Sequence, residues 1–243
     1  LFRSRRFHGS NGRCIMSKTK LSKETLAILK NYSQINSNLL VKEGNVINTI
    51  SPAKNIVSES VVTENFEVEF GIWDLSKLLG TISLFEDPEF EFGEKSMIIS
   101  GRGGGKVSYY YSEPRLLTTL TREVKMPEPV ISFKLTESVF ESVQRSASVL
   151  QLPDLCIKSS DEGTIELVAL DKKTPTTNSY TVEVGTNPKP GSTFSFYLKN
   201  ENLKLLSGDY TVDVCSQTVT RFTHTEQDTK YYIAQESDSS YHD

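Results

Sequence analysis

Apolar residues recur at helical spacing between residues 20 and 41, in the stretch KLSKETLAILKNYSQINSNLLV. This spacing predicts an amphipathic helix with one buried face. Ser22 suits the N-cap and Glu24 lies in the predicted first turn, where acidic side chains are favourable. The apolar side comprises Leu21, Ile28, Leu29, Tyr32 and Ile35, and the polar side comprises Lys20, Lys23, Lys30, Asn31 and Gln34. The exposed face of this helix is therefore expected to be rich in lysine.

Short β-type runs with turn residues between them follow the helix. They include NLLVKEGNVINTI, NIVSESVV, FEVEFGIW, EFEFGE, SMIIS and KVSYYYS. Residues 74–80, DLSKLLG, interrupt the strands and predict a short helix, which Asp74 caps and Gly80 ends. The first half thus reads as helix, strands, short helix, strands.

The second half repeats this order after a stretch without periodicity. Residues 113–129, EPRLLTTLTREVKMPEP, have prolines at both ends and predict a connector between residues 16–112 and 130–243. An amphipathic helix is predicted over 136–150, with Thr136 as N-cap, and further strands follow. Residues 194–208, FSFYLKNENLKLLSG, predict a second strand and short helix, with KLL recurring at 77–79 and 204–206. The pattern indicates an α+β chain built from two similar units.

Charge is distributed unevenly along the chain. Residues 1–15 contain four arginines and no acid, and we interpret them as a non-native or disordered leader before Met16. Without these arginines the formal net charge falls from −4 to −8, so the body is acidic. An acidic surface repels DNA unless its positive charge is gathered in one place. The three cysteines form no CxxC motif, which suits a reducing compartment.

No catalytic or metal-ligating constellation is visible. GRGGGK at 101–106 departs from the phosphate-loop signature, because Ser100 occupies the first glycine position and Val107 follows the lysine. It is interpreted as a hairpin turn. The histidines are scattered, and His224 is expected to be an exposed strand residue. Neither a cofactor nor a metal site is expected.

Lysines recur on the predicted helices of both halves. The first helix carries Lys20, Lys23 and Lys30, and the short helices carry Lys77 in the first half and Lys199 and Lys204 in the second. Cations without neighbouring Asn or Gln clusters suit phosphate contact rather than base readout.

Three stretches of the sequence resemble the trimeric sliding clamps of T4-type bacteriophages. They are KLSKETLAILKNYSQINSNLLVKEG (20–44), WDLSKLLGTISLFEDPEFEF (73–92) and the tail YYIAQESDSSYHD (231–243). The resemblance runs from Met16 to Asp243 and implies two similar clamp domains per chain, with helices on one face of antiparallel sheets. Three chains would close into a homotrimeric ring around duplex DNA. The family is not enzymatic.

The resemblance also implies partners and sites. The partners are double-stranded DNA without sequence preference, the phage DNA polymerase and an ATP-dependent clamp loader, in the cytoplasm of the infected host. DNA contact is carried over to Lys20, Lys23, Lys30, Lys77, Arg145, Lys199 and Lys204. The helix at 136–150 departs from this pattern, because Arg145 stands there beside Glu137 and Glu141.

Two further sets of residues are expected from the resemblance. The pocket for partner peptides is expected at Leu116, Leu117, Val130, Ile233 and Ala234, although these residues could instead pack the connector onto the sheets. The joint between subunits is expected to pair two edge strands, KVSYYYS with NSYTVEV, through Val107, Tyr109, Tyr111, Tyr180 and Val182.

Two other readings of the sequence remain. An oligomeric phage structural or assembly protein that does not act on DNA would share the repeat and the acidic surface. An enzyme using carboxylates for acid–base chemistry has no support beyond the abundance of Asp and Glu.

Overall fold

The computed structural model describes residues 18–174, 176–216 and 218–243. The expected leader, residues 1–15, lies outside them. The helices are α1 (Lys23–Ile35), α2 (Leu75–Ile82) and α3 (Glu137–Leu150). The strands before residue 113 are β1 (Leu39–Val41), β2 (Gly44–Ile50), β3 (Ile56–Phe66), β4 (Phe70–Ile72), β5 (Glu89–Phe92), β6 (Ser96–Ser100) and β7 (Lys106–Tyr110). Those after it are β8 (Pro129–Leu135), β9 (Asp154–Ser159), β10 (Thr164–Leu170), β11 (Tyr180–Thr186), β12 (Thr193–Lys199), β13 (Tyr210–Cys215), β14 (Val219–His224), β15 (Thr229–Ala234) and β16 (Ser240–His242).

Strand pairing confirms an α+β fold that is built twice along the chain. In the first half β1 pairs with β4 and β2 with β3, while in the second half β9 pairs with β12 and β10 with β11. The meander β5-β6-β7 likewise corresponds to β13-β14-β15. All of these pairs are antiparallel. None of the helices within the described residues is long and apolar enough to cross a membrane.

One strand pair joins the two halves. β15, the last strand of the second meander, pairs with β3 from the first half, with Thr229 opposite Ser60 and Ile233 opposite Ile56. The result is a six-stranded sheet in the order β2-β3-β15-β14-β13-β8. The backbone hydrogen bonds of this sheet therefore run without interruption from one half to the other.

A buried polar network reinforces this junction. The Tyr231 hydroxyl donates to Asn31 Oδ1 at 2.8 Å, and Asn31 Nδ2 donates to the Lys204 carbonyl at 3.0 Å. The Tyr32 hydroxyl lies 2.8 Å from Ser60 Oγ on β3. Tyr32 and Tyr231 are fully buried, so burial raises the pKa of each hydroxyl far above its usual value and keeps both protonated. α1 is thus fixed to both halves.

The short helix predicted near residues 200–208 is wrong. Residues Asn200–Asn202 form one turn of 3-10 helix, and residues 203–206 continue without helical structure. Two tertiary hydrogen bonds explain the difference: the Lys204 carbonyl accepts from Asn31, and the Leu206 N–H donates to the Tyr231 hydroxyl at 3.3 Å. These bonds use backbone groups that a helix would pair internally.

The expectation that His224 is exposed is also wrong. His224 is buried, and its Nδ1 accepts from the backbone N–H groups of Glu226 and Gln227, both at 3.1 Å. Its Nε2 lies 3.0 Å from the Ser207 carbonyl, which therefore receives the Nε2 proton. His224 closes the turn after β14 and is a structural residue.

Glu64 on β3 holds the start of α1. Its carboxylate accepts hydrogen bonds from the Ser22 backbone N–H and from the Thr25 hydroxyl. Burial alone would raise the pKa of Glu64, but the hydrogen bonds from Thr25 and Ser22 outweigh it and lower the pKa below its usual value. The ionised carboxylate therefore stabilises the folded state.

We predict that Glu64→Gln lowers the free energy of unfolding at pH 7 by about 2 kcal/mol, because hydrogen bonds to a charged acceptor are lost. Since the folded-state pKa is depressed, this stabilisation is complete above the unfolded-state pKa and disappears as pH falls through the folded-state pKa. Urea unfolding from pH 7 to pH 3 measures both effects. The exposed Glu67→Gln serves as the control, and a Glu64→Gln deficit that persists undiminished in acid would contradict this role.

Candidate nucleic-acid interface

Three lysines lie exposed on neighbouring helices of the first half. Lys23 and Lys30 lie on the outer face of α1, and Lys77 lies in the first turn of α2. α1 and α2 pack side by side, and Leu26 and Lys30 of α1 line the same groove as Leu79 of α2. None of the three ammonium groups has an ion-pair partner among the described residues. This face therefore presents positive charge that the protein leaves uncompensated.

Sequence features position these lysines. Ser22 caps α1 through Thr25 N–H at 3.1 Å, and Asp74 caps α2 through Lys77 N–H at 2.9 Å, as predicted. The apolar side of α1 lies against the sheet, with Ile28, Leu29 and Ile35 buried. Burial of that side directs the lysines outward.

Lys20 lies just before α1 and not on it. Its ammonium is 2.6 Å from Asp87 Oδ2, with both side chains exposed. The Lys20 ammonium lowers the pKa of Asp87. An exposed pair of this kind is weak, so Lys20 could exchange Asp87 for a phosphate at little cost.

Lys199 occupies a different environment from the helical lysines. It lies at the end of β12, and its ammonium is 2.5 Å from Asp154 Oδ1 and 3.7 Å from Glu236 Oε2. Asp154 is 1% exposed, so Lys199 neutralises a buried carboxylate. The hydrogen bond with Asp154 raises the pKa of Lys199. The structure thus gives Lys199 a structural partner.

Lys204 caps the end of α1. Its Nζ donates to the Gln34 carbonyl in the last turn of α1 at 2.7 Å. A cation is favourable there, because the C-terminal carbonyls of a helix are unpaired and carry partial negative charge. Lys204 therefore lies beside the lysine face of α1 but already has a backbone acceptor.

Arg145 lies exposed on α3, on the same helix as Glu137 and the exposed Glu141. The positive charge expected on this helix is therefore offset by two acids, and α3 does not extend the lysine face of α1 and α2.

The residues expected to form a partner pocket divide into two groups. Asn36 Nδ2 donates to the carbonyls of both Ile50 and Thr118 at 2.9 Å, which brings the connector to the turn between β2 and β3. Ala234 N–H donates to the Asn55 carbonyl of the same turn at 2.9 Å. The connector at Thr118 and the end of β15 at Ala234 thus approach one turn, whereas Val130 on β8 is separated from Ile233 on β15 by β13 and β14.

These residues also differ in exposure. Leu116 is 61% exposed, Leu117 is 9% exposed and packs against Gly71, and Ile233 is fully buried in the core. Asn36, which positions the connector, was not anticipated. An Asn at the end of an amphipathic helix usually reads as a cap, and only the fold reveals its contact with Thr118.

The two strands expected at the subunit joint are both sheet edges. β7 is the last strand of the β5-β6-β7 sheet, and β11 is the first strand of the β11-β10-β9-β12-β16 sheet. The expected residues Val107, Tyr109, Tyr180 and Val182 lie on these strands, with Tyr111 directly after β7. Both edges offer backbone N–H and C=O groups for pairing.

No group of three or more His, Cys, Asp or Glu in the described part of the chain could hold a metal ion. GRGGGK forms the β6–β7 hairpin turn, with positive φ at Gly103 and Gly104, as predicted.

Comparison with known proteins agrees with this geometry. The family described as gp45 sliding clamp, C terminal, matches residues 132–237. The sliding clamp of Vibrio phage KVP40 is 27% identical over 222 residues, which cover 90% of this chain and 99% of that protein. The sliding clamp of Enterobacteria phage T4 is 27% identical over 232 residues, covering 91% of this chain and 99% of that protein.

Solved structures show the same fold. The PCNA of A. fulgidus, bound to the C-terminal region of FEN-1, superposes with a TM-score of 0.68 at 14% identity, covering 92% of this chain and 99% of that chain. The H. pylori beta clamp gives a TM-score of 0.66 at 11% identity, covering 90% of this chain and 65% of that chain. Similarity in sequence to phage sliding clamps and similarity in fold to clamps in general each extend over about nine tenths of the chain.

Proposed function

We propose that this chain assembles into a closed ring that encircles duplex DNA and tethers a replicative DNA polymerase, which makes synthesis processive. The observation that carries the proposal is the separation of charge on the fold. Lys23, Lys30 and Lys77 are unpaired within the described residues and lie on two adjacent helices, while the sequence after the leader has a net charge of −8. A ring with these helices inward attracts phosphates in its hole and repels DNA elsewhere.

Internal repetition supports closure of the ring. Within the chain, β15 of the second meander pairs with β3 of the first half. By the repeat, β7 is the equivalent of β15 and β11 is the equivalent of β3, and both are sheet edges. Pairing β7 of one copy with β11 of the next would reproduce the junction inside the chain. Such head-to-tail contacts close into a ring when the rotation allows, and three copies are expected.

The ability of the ring to slide along DNA follows from the nature of its contacts with phosphates. Exposed lysines interact with phosphates without reading bases, and each contact is weak and easily exchanged. The ring can therefore move along the duplex while its closed topology prevents dissociation. A polymerase bound to the ring stays at a high effective concentration near the primer end.

Partner proteins are proposed to bind near the turn between β2 and β3. Leu116 is exposed on the connector, which reaches this turn through Thr118, and Ala234 contributes from the end of β15. Ile233 would support this surface from the core. A closed ring also requires an ATP-dependent loader to open it onto DNA, acting with the polymerase in the cytoplasm of the infected host. No chemical step is assigned to the chain itself.

Reversing the charge of Lys23, Lys30 and Lys77 to Glu should abolish stimulation of the phage polymerase, because the inner face would then repel phosphates. Long-product synthesis on primed DNA, with the phage polymerase and clamp loader, measures this effect. The oligomer should stay intact by light scattering. The matched control reverses Lys42, Lys134 and Lys173, which are exposed outside the helices and outside the turn between β2 and β3; equal stimulation by both triple variants would refute the pore assignment.

Lys199 should behave differently from the helical lysines. Lys199→Met leaves the buried Asp154 carboxylate without its cation and should lower the free energy of unfolding by about 3 kcal/mol. Lys158→Met, which removes an exposed pair with Glu166, should cost less than about 1 kcal/mol. Chemical denaturation compares the two variants. A stable Lys199→Met protein that retains DNA less well would instead return Lys199 to the DNA contacts.

A further inference from the structure

A polar depression lies between the end of α3 and the 3-10 turn Asn200–Asn202. Its volume is about 490 Å³, including the solvent space at its mouth. The lining residues are Gln144, Ala147 and Ser148 from α3, and Leu152, Pro153 and Asn200 from the segments beside it. All of them belong to one chain and to the second half. The depression is therefore complete without a second copy and separate from the lysine face of α1 and α2.

The second half leaves this space open because its described residues contain no counterpart of α2. In the first half α2 packs along α1. The corresponding segment of the second half forms one 3-10 turn and then bonds to Asn31 through Lys204 and to Tyr231 through Leu206. Ala147 adds only a methyl group to this flank of α3. The depression is thus a consequence of the bonds that replace the helix.

Two buried amide atoms at this depression have no hydrogen-bond partner among the described residues. One is a donor, Gln144 Nε2, and the other is an acceptor, Asn200 Oδ1. Proteins pair most of their buried polar atoms, because an atom that loses water without gaining a partner is destabilising. An unpaired donor and an unpaired acceptor at one depression therefore indicate a ligand that supplies the opposite groups.

The orientation of the Asn200 amide is fixed by its other contacts. Its Nδ2 donates to the carbonyl of Leu152 at 2.7 Å and to that of Asp154 at 3.3 Å, and its backbone N–H donates to the Pro153 carbonyl at 2.9 Å. Turning the amide over would break both side-chain bonds, since an amide oxygen cannot donate. Asn200 Oδ1 therefore remains the atom that can accept a proton donor from a ligand.

The end of α3 is also well defined. The helix stops at Gln151, whose φ of 54° is left-handed. The next N–H, that of Leu152, donates to the Ala147 carbonyl at 2.8 Å, and the Leu152 side chain is buried. These are the features of a standard helix C-terminus. Because the walls are already fixed, a ligand would bind without the entropic cost of ordering the site.

We propose that this depression binds the carboxamide of an Asn or Gln side chain from a partner protein. A carboxamide carries one carbonyl oxygen and one NH2 group, so it accepts from Gln144 Nε2 and donates to Asn200 Oδ1 at the same time. A carboxylate has no proton to donate, and an ammonium group has no acceptor. The lining side chains are uncharged, which also suits a neutral ligand. The contact is additional to those of the proposed function and needs neither the ring nor DNA.

Titration with acetamide tests the site, with acetate and N,N-dimethylacetamide as matched probes that lack the N–H donors. We expect acetamide to shift the side-chain amide NMR signals of Gln144 and Asn200. It should bind at least about fivefold more tightly than either control, because each control loses a hydrogen bond to Asn200 Oδ1. Equal shifts from all three probes, or none from acetamide, would mean that the depression holds only water and would overturn the proposal.

Gln144→Met provides the second readout, because it removes the donor and keeps the length of the side chain. It should weaken acetamide binding about fivefold, whereas Gln34→Met, at an exposed position of α1, should leave binding unchanged. Since Gln144 Nε2 is unpaired when the site is empty, Gln144→Met should not lower the urea midpoint of unfolding. A midpoint below that of both the wild type and Gln34→Met would show that Gln144 has a structural role and would overturn its assignment to a ligand.

Discussion

The pairing of β15 with β3 is the contact on which the rest of the structure depends. It makes one sheet out of two halves, and it places the Tyr231 hydroxyl within reach of Asn31 on α1. α1 is thereby held against both halves, so its lysines keep a fixed position. The same pairing also leaves its two equivalents, β7 and β11, as edges that a second copy can use. One kind of joint thus explains both the chain and its proposed assembly.

The proposed contacts with DNA depend on where the lysines lie and not on tight binding. Lys23, Lys30 and Lys77 are exposed and have no ion-pair partner among the described residues. Helix caps and the burial of the opposite side of α1 hold them in this position. Lys199 and Lys204 resemble these three lysines in the sequence. In the structure, however, Lys199 pairs with the buried Asp154 carboxylate and Lys204 donates to the Gln34 carbonyl at the end of α1. Weak, exchangeable phosphate contacts suit a ring that slides, because its retention comes from closure.

Local patterns predicted much of the fold. Helical periodicity and caps located α1, α2 and α3, and the repeat of helix and strands was visible before the pairing was known. The absence of a second short helix could not be foreseen, because Leu206 bonds to Tyr231, which is distant in sequence. Lys199 could not be separated from Lys30 for the same reason: its partner Asp154 lies on another strand. In both cases a contact with a residue distant in the sequence decided the outcome.

The most direct test of the account compares retention of the protein on DNA with and without free ends. The ring is loaded onto nicked circular DNA, and its half-life is measured before and after one restriction cut at physiological salt. Topological retention predicts a long half-life on the circle and rapid loss from the ends after cutting. Equal half-lives on circular and linear DNA would contradict encirclement, since direct binding alone would then explain the association.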